Sequence, residues 1–365
     1  MNQAFYVPTK VVMGDGCIQK NRGLLAQMGK TALIVTGAHS AKKNGSLQDI
    51  TDTLTLNGQS YKVFDKVMSN PTIACVYEGA AYAKEIGADF LMAAGGGSIM
   101  DAGKAIALLA RQDIPEEKLF SGNYKKDVLP MAFVPTTAGT GSEVTPFSIL
   151  TNDKAKTKTS IATPLLFPTL ALLDGKYMQN LPHRTTANTA VDALSHCIEG
   201  VLSNKASTIT DCLATEGIRL VASCFDDIKK DTLSLNQRTD LLIASMLGGM
   251  VIANTGTAAV HAMGYSLTYF KHIDHGLANG LLMGRFLALM EKDCSGRIGL
   301  ILSNLKLPSV SAFTELLAEL LEKPQGLTEE EVNQYARLAM RAKNMANCLV
   351  MPKEEDLRKI LKESL

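Results

Sequence analysis

The 365-residue chain contains no tryptophan, and aromatic residues make up only 5% of it. A surface that stacks bases on aromatic rings is therefore not expected. Neither sign of charge is in excess: 37 Lys and Arg face 36 Asp and Glu, a net charge of +1. That balance gives no basic footprint for a nucleic acid or an anionic membrane. The seven cysteines (Cys17, Cys75, Cys197, Cys212, Cys224, Cys294, Cys348) are odd in number and never spaced Cys-x-x-Cys. Such usage argues against a disulfide framework or a thiolate zinc site and fits a reducing, cytoplasmic setting. The opening MNQAFYVPTKVVMGDG has no basic stretch followed by an apolar run, so no signal peptide is expected. One segment, 241–270, carries no Asp, Glu, Lys or Arg, yet Asn254, Thr255, Thr257 and His261 interrupt it. A buried core helix followed by a polar turn is expected there, because a spanning helix needs about 20 predominantly apolar residues.

What is present is enough apolar material for large cores: 46% of residues are hydrophobic and 20% charged. The length suggests two domains. Up to about residue 180, short β-rich runs alternate with helical stretches: TALIVT (31–36), YKVFDKV (61–67), DFLMAA (89–94), MAFVP (131–135) and LALLD (170–174). Helices are predicted over Thr72–Ile86 and Ser98–Arg111. This alternation predicts βαβ units and a parallel sheet covered on both faces. Phe5–Tyr6 and Lys10–Met13, on either side of Pro8, are expected to form a small hairpin. From Pro182 onward the β signal ends and helical patterns follow, one opened by a capping box at Thr328–Glu331. The expectation is an α/β domain over residues 1–181 and an all-helical domain over 182–365, with a cleft between them as the place for a site.

Three motifs carry chemistry. Gly95-Gly96-Gly97-Ser98 follows an apolar strand and opens a helix that carries Asp101 and Lys104. Backbone N–H groups there can approach a phosphate closely, and the helix N-terminus adds partial positive charge. The competing reading is a plain tight turn. VPTTAGTGSEVT (134–145) follows another strand and offers the hydroxyls of Thr136, Thr137, Thr140 and Ser142. It reads as a ligand-holding loop at a strand's carboxyl end or as an exposed linker. Third, Asp192 and His196 lie four apart in a helical stretch and project from one face, while His261 and His275 follow downstream. One carboxylate and three imidazoles suit a divalent transition metal with an open position for substrate. Taken singly, each histidine also reads as a packed or capping residue.

In order and spacing, GGGSIMDAGKAIA, PTTAGTGSEVT, DALSHCIEG, and His261 with HGLANG fourteen residues on resemble the iron-containing (group III) alcohol dehydrogenases. The resemblance runs over nearly the whole chain to about residue 290. It implies an N-terminal Rossmann-like dinucleotide-binding domain and an all-α metal-binding domain, the dehydroquinate-synthase-like arrangement. By motif, Asp192, His196, His261 and His275 would ligate Fe²⁺, with Zn²⁺ as the alternative ion. Gly95, Gly96, Gly97 and Ser98 would hold the pyrophosphate with Asp101 nearby, and Thr136, Thr137, Thr140 and Lys158 would line the nucleotide. Many members carry a further histidine four residues after the third ligand, for proton transfer. Here that position is Tyr265, and His272 is the candidate replacement.

The implied reaction is hydride transfer between a primary or short-chain alcohol and NAD(P), with the metal as Lewis acid. Where many NAD-preferring members place an Asp after the first strand, this chain has Gly37, followed by Ser40, Lys42 and Lys43. NADP(H) is therefore expected over NAD(H), because no carboxylate repels a 2′-phosphate. A homodimer or higher homo-oligomer acting on a small alcohol or aldehyde is expected, with no nucleic-acid or membrane partner. Three alternatives stay open: a glycerol-dehydrogenase-like polyol enzyme, a non-redox enzyme on the related scaffold, and a catalytically silent assembly protein.

Overall fold

A computed structural model describes residues 4–365; Met1–Gln3, at the start of the expected first domain, lie outside the described residues. The chain forms two compact units. One comprises Val7–Thr137 and Ser142–Asn180; the other comprises Leu181–Leu365, the short segment Ala138–Gly141 and residues 4–6. The motif after residue 134 is thus shared: Ala138–Gly141 packs with the helical unit, while its flanks stay with the sheet.

The α/β unit has eight strands: β1 (Lys10–Met13), β2 (Thr31–Thr36), β3 (Ser60–Phe64), β4 (Phe90–Gly95), β5 (Met131–Pro135), β6 (Phe147–Asn152), β7 (Thr157–Ala162) and β8 (Leu170–Leu173). Six of them form one sheet in the order β1-β8-β5-β4-β2-β3, and every pairing in it is parallel. The five sequence runs and both helices fall where expected. The hairpin at the N-terminus does not form: Lys10–Met13 is instead an edge strand running parallel to β8. A four-residue strand has too few ladder bonds to stand as an isolated hairpin, and pairing with a core strand supplies them. The β6–β7 hairpin, antiparallel from Phe147↔Ala162 to Asn152↔Thr157, has a polar, Thr- and Lys-rich sequence that carries little strand signal.

Strand side chains alternate between two cores, as a sheet buried on both faces requires. Leu33, Val35, Leu91, Ala93 and Phe133 pack on one side with Val76, Ala80 and Ile106 from the helices Ile73–Glu85 and Gly97–Arg111. Ala32, Ile34, Phe90, Met92 and Val134 pack on the other with Leu25, Ile50 and Leu54. Each buried Leu, Ile, Val or Phe contributes on the order of 1.5–3 kcal/mol, so the alternation fixes strand register. Chain order reverses between β2 and β4: β2 leads outward to β3, and β4 leads the other way through β5 to β8. Open parallel sheets bind ligands outside the carboxyl ends of strands at such a reversal. Gly37 follows β2 there, and Gly95 ends β4.

The helical unit is built from helices including His183–Val201, Leu235–Thr255, Ala259–Lys271 and His275–Met290. The charge-free stretch resolves into two of these, bent by 110° at a short break. Gly256, at φ 71°, begins the break. Among the described residues, no single helix is long and apolar enough to cross a membrane. Thr328–Glu331 forms the expected capping box.

Gly141 shows how tightly this unit closes on the loop it has taken in. Its φ of 58° is in the left-handed region, and a Cβ there would lie 2.5 Å from the Ser245 carbonyl oxygen and 2.6 Å from Gly249 Cα. The left-handed cost for a side chain is about 1–2 kcal/mol, and overpacking adds about 1–3 kcal/mol. Gly141→Ala is expected to lose about 2–4 kcal/mol of stability. A denaturation midpoint equal to that of the wild type would contradict this packing.

Candidate metal centre and dinucleotide loops

In the helix His183–Val201, Asp192, His196 and Glu199 fall at intervals of four and three residues and so share one face. His261 lies in the first turn of Ala259–Lys271, and His275 opens His275–Met290, which also carries Asn279. Asp192, His196, Glu199, His261 and Asn279 are buried, and His275 is half-buried. Polar groups this deep must satisfy one another or a bound ion.

The four expected ligands converge. Donor atoms of Asp192, His261 and His275 lie within 4.8 Å of one another. His196 Nε2 is 3.0 Å from His261 Nε2, and His275 Nε2 is 3.8 Å from Asp192 Oδ1. The Asn279 amide reaches Asp192 Oδ1 at 3.0 Å, His261 Nε2 at 3.1 Å and His275 Nε2 at 3.3 Å.

Two further contacts decide how the rings are protonated. His196 Nδ1 lies 3.2 Å from the Gly139 carbonyl oxygen, and His261 Nδ1 lies 2.6 Å from Glu199 Oε2. A carbonyl and a carboxylate only accept, so both Nδ1 atoms carry the proton. In neutral rings the two Nε2 atoms then face each other as acceptors at 3.0 Å, and no hydrogen bond forms between them, although the Asn279 amide reaches His261 Nε2. A cation shared between them does satisfy them. The residues present therefore fit a divalent metal: three imidazole nitrogens and one carboxylate, with both facing imidazoles in the ligating tautomer.

Electrostatics agree with that arrangement. Burial pushes His196 down to about 4, keeping it neutral. Burial alone would raise the Asp192 carboxyl, but the three imidazoles and the Asn279 amide hold it below the usual carboxylate range. Burial favours neutral His261 too, and the Glu199 charge outweighs it, raising His261 in the ion-free protein. Tyr265 stacks on His275 with ring centroids 5.9 Å apart. His272 is not brought in: it is exposed at the end of its helix in a left-handed conformation, with φ 54°. His39 and His183 lie elsewhere, His183 on the Ile228 carbonyl oxygen at 2.7 Å.

Sequence reasoning missed Glu199 and Asn279. Glu199 was findable, since Asp192, His196 and Glu199 at i, i+4 and i+7 mark one helix face. Asn279 has no comparable signal beyond lying four residues after His275.

In the α/β unit the sheet brings Gly95–Ser98 together with Thr136 and Thr137. The Thr136 N–H donates to the Gly95 carbonyl oxygen at 3.0 Å. A Cβ on Gly96 would lie 2.9 Å from Thr137 Oγ1, so the two loops approach this closely only because Gly96 has no side chain. Gly96 also begins the helix Gly97–Arg111 without a side-chain cap. The 134–145 motif is not an exposed linker: Gly141–Pro146 are buried, whereas Thr137 and Thr140 are half-buried. Asp101, expected near the pyrophosphate, is engaged within the unit. Its Oδ1 accepts from Ser142 Oγ at 2.6 Å and its Oδ2 from the Ile149 N–H at 3.0 Å, which ties the β6–β7 hairpin to the helix. Lys158, half-buried on β7, contributes positive charge that acts on Asp101. Gly37 and Ser40 stand after β2, with Ser40 exposed, and Lys42 is ion-paired to Asp65 at 2.8 Å.

Behind these loops, Lys104 is fully buried and its Nζ donates to Ser142 Oγ at 2.7 Å, Thr145 Oγ1 at 3.1 Å and the Phe147 carbonyl oxygen at 2.8 Å. Burial brings it down to about 8. Glu143 is also buried, and neither carboxylate oxygen has a hydrogen-bond partner.

With this geometry in place, the comparisons with known proteins are direct. The pattern described as iron-containing alcohol dehydrogenase matches residues 8–175, and the C-terminal pattern of the same family matches 186–365. The chain is 36% identical over 284 residues to alcohol dehydrogenase 4 of Saccharomyces cerevisiae, covering 76% of this chain and 73% of that one. Its fold matches the crystal structure of an iron-containing alcohol dehydrogenase from Thermotoga maritima with a TM-score of 0.92 and 36% identity, over 100% of this chain and 99% of that one. It is also similar to a sulfoacetaldehyde reductase from Bifidobacterium kashiwanohense in complex with NAD⁺, with a TM-score of 0.89 and 27% identity over 99% and 98%. Fold and family patterns define an oxidoreductase. The chain belongs to the iron-containing alcohol dehydrogenase family and is of the alcohol dehydrogenase and aldehyde reductase type.

Burial pushes Glu143 up to about 7 from an ordinary 4.5, against the lowering pull of its own backbone N–H and of Lys104. The folded protein therefore holds this proton where the unfolded chain releases it, and stability from the group is lost as pH rises from about 4.5 through about 7. Glu143→Gln, which cannot ionise, is expected to gain about 1–3 kcal/mol relative to the wild type between pH 5 and pH 8. Melting temperatures of both proteins across that range check this, and a pH-independent difference would refute it.

Proposed function

We propose that Asp192, His196, His261 and His275 hold one divalent iron ion and that the protein interconverts a small alcohol and its aldehyde with a nicotinamide dinucleotide. The observation that carries this reading is the convergence of the four side chains, with His196 Nε2 3.0 Å from His261 Nε2 while each ring's Nδ1 faces an acceptor. When bound, iron supplies a Lewis acid for the alcohol or aldehyde oxygen, and the dinucleotide takes or gives the hydride.

The chain's own groups prepare for that. Asp192 offsets part of the ion's charge while the imidazoles stay neutral. Burial of the donor set excludes water and strengthens the local field. Tyr265, stacked on His275, is our candidate to pass a hydrogen bond to the substrate hydroxyl, in a supporting role rather than as the base. His272, exposed at its helix end, is not assigned a catalytic role. For the dinucleotide, Gly95, Gly96, Gly97 and Ser98 offer helix N-terminal N–H groups to the pyrophosphate. Thr136, Thr137, Thr140 and Lys158 add hydroxyls and a positive charge, and Asp101 positions the hairpin that carries Lys158.

His275→Ala is expected to lose most bound iron, and turnover should fall by at least about a hundredfold while the fold is kept. Iron stoichiometry on anaerobically prepared protein, with aldehyde-dependent oxidation of reduced dinucleotide, checks this. Wild-type metal content together with a wild-type rate would overturn the ligand set.

For the coenzyme, we favour NADP(H). No carboxylate stands at Gly37, and Ser40 and Lys43 are exposed beside it; Lys42 contributes less, being paired with Asp65. The NAD⁺ bound to the Bifidobacterium kashiwanohense reductase favours the other choice, so the test is quantitative. One well-placed donor or cation on a 2′-phosphate is worth about 1–2 kcal/mol, or roughly five- to thirtyfold. kcat/KM is expected to be higher with NADPH than with NADH. Gly37→Asp should raise the NADPH KM more than the NADH KM, although its Cβ lies 3.3 Å from the Val67 carbonyl oxygen and shifts the loop slightly. A tenfold wild-type preference for NADH would reverse the assignment.

A further inference from the structure

Glu199 is a fully buried carboxylate on the face of the helix that carries Asp192 and His196, yet it points away from the converging donor atoms. Its Oε1 accepts from the Val260 N–H at 2.7 Å and lies 3.4 Å from the His261 N–H. Its Oε2 accepts from the Ala258 N–H at 2.8 Å and from His261 Nδ1 at 2.6 Å. One side chain therefore satisfies the first free N–H groups of the helix Ala259–Lys271 and the outer nitrogen of that helix's histidine. A negative charge at a helix N-terminus is favourable in its own right, and that alone would give Glu199 a purely structural task. The contact to Nδ1 does something else.

We infer that Glu199 is a positioning residue which sets the tautomer of His261, and thereby the affinity of the site for its metal. The inference rests on the metal reading above and names the residue that makes one of its ligands competent. The reasoning is a count of donors and acceptors. An ionised carboxylate has only acceptors, so His261 must place its proton on Nδ1 and present a bare Nε2 to the ion. A glutamine of the same shape has one acceptor and one donor. With its oxygen in the Oε1 place, it keeps the Val260 N–H, and its NH₂ in the Oε2 place meets His261 Nδ1 and leaves the Ala258 N–H without its acceptor. That face must now accept, so the imidazole proton moves to Nε2, where it blocks ligation. The change is isosteric, leaves the helix N-terminus with one acceptor in place of two, and inverts one ligand. His196 depends on no such side chain, because the Gly139 carbonyl oxygen fixes its tautomer through the backbone.

The test is Co²⁺ binding by the full-length wild type and Glu199→Gln, read by the ligand-field absorption of the bound ion and by equilibrium competition with a chelator. The wild type is expected to bind one Co²⁺ per chain, and Glu199→Gln about 10- to 100-fold more weakly with an altered spectrum. Equal affinity and an identical spectrum in a folded variant would overturn the inference, since a purely capping role would lower the melting temperature and leave the spectrum unchanged. Failure of the wild type itself to bind Co²⁺ would instead overturn the metal reading. If Glu199→Gln does not fold, long-range ¹H–¹⁵N correlation of the six histidines in the Zn²⁺-loaded wild type decides the matter. A proton on His261 Nδ1 with Nε2 on the metal supports the inference, and the reverse assignment refutes it.

Discussion

Burying charge inside a helical core is the constraint on which the rest of the C-terminal unit depends. Asp192, His196, Glu199, His261 and Asn279 are withdrawn from water among helices otherwise packed through Leu, Ile, Val and Ala. Each uncompensated polar group there would cost several kcal/mol, so the group is arranged as a network in which every member faces another. Its hydrogen-bonding capacity is spent asymmetrically. The outer nitrogens of two imidazoles face acceptors, and the inner nitrogens face each other at 3.0 Å, that of His261 also within reach of the Asn279 amide. A cation seated between the inner nitrogens would complete such a network, and metal binding at the proposed site would then be part of the unit's structural logic as well as its chemistry.

The α/β unit handles polarity differently. Its sheet is apolar on both faces, and polar groups gather at the carboxyl ends of the strands. Gly37, Gly95–Ser98 and Thr136–Thr137 follow three neighbouring strands, β2, β4 and β5. The one buried cation behind these loops, Lys104, is held by three oxygen acceptors. Through Ser142 it is linked to Asp101 and so to the β6–β7 hairpin. The helix that begins at the glycine turn thus also anchors the hairpin carrying Lys158, which places two parts of the expected dinucleotide site on one rigid element.

Much of this was legible from residues alone, and the reasons are local. The buried strands are apolar runs bounded by turns, so TALIVT and MAFVP could be read without a structure. Glycines directly after strands mark places where backbone must approach backbone or phosphate. Asp192 and His196 share a face because a helix repeats every 3.6 residues. Polar strands such as β6 and β7 escaped, because their pairing comes from a neighbour rather than from their own pattern. The N-terminal strand was misread as a hairpin for the same reason: its partner, β8, is about 160 residues away.

The sequence by itself determined the alternation of strands and helices followed by helices alone and the sheet's buried strands, since each follows from local periodicity, and its family resemblance named the four candidate metal ligands. Tertiary structure decided what those residues do to one another. It placed Asp101 as a tie to the hairpin, left His272 at an exposed helix end, and put Glu199 behind His261 rather than beside the ligands. It also moved Ala138–Gly141 into the helical unit, where Gly139 orients His196. Hydrogen-bond direction, burial and tautomer depend on atoms brought together from distant parts of the chain, and no local pattern in the sequence encodes them.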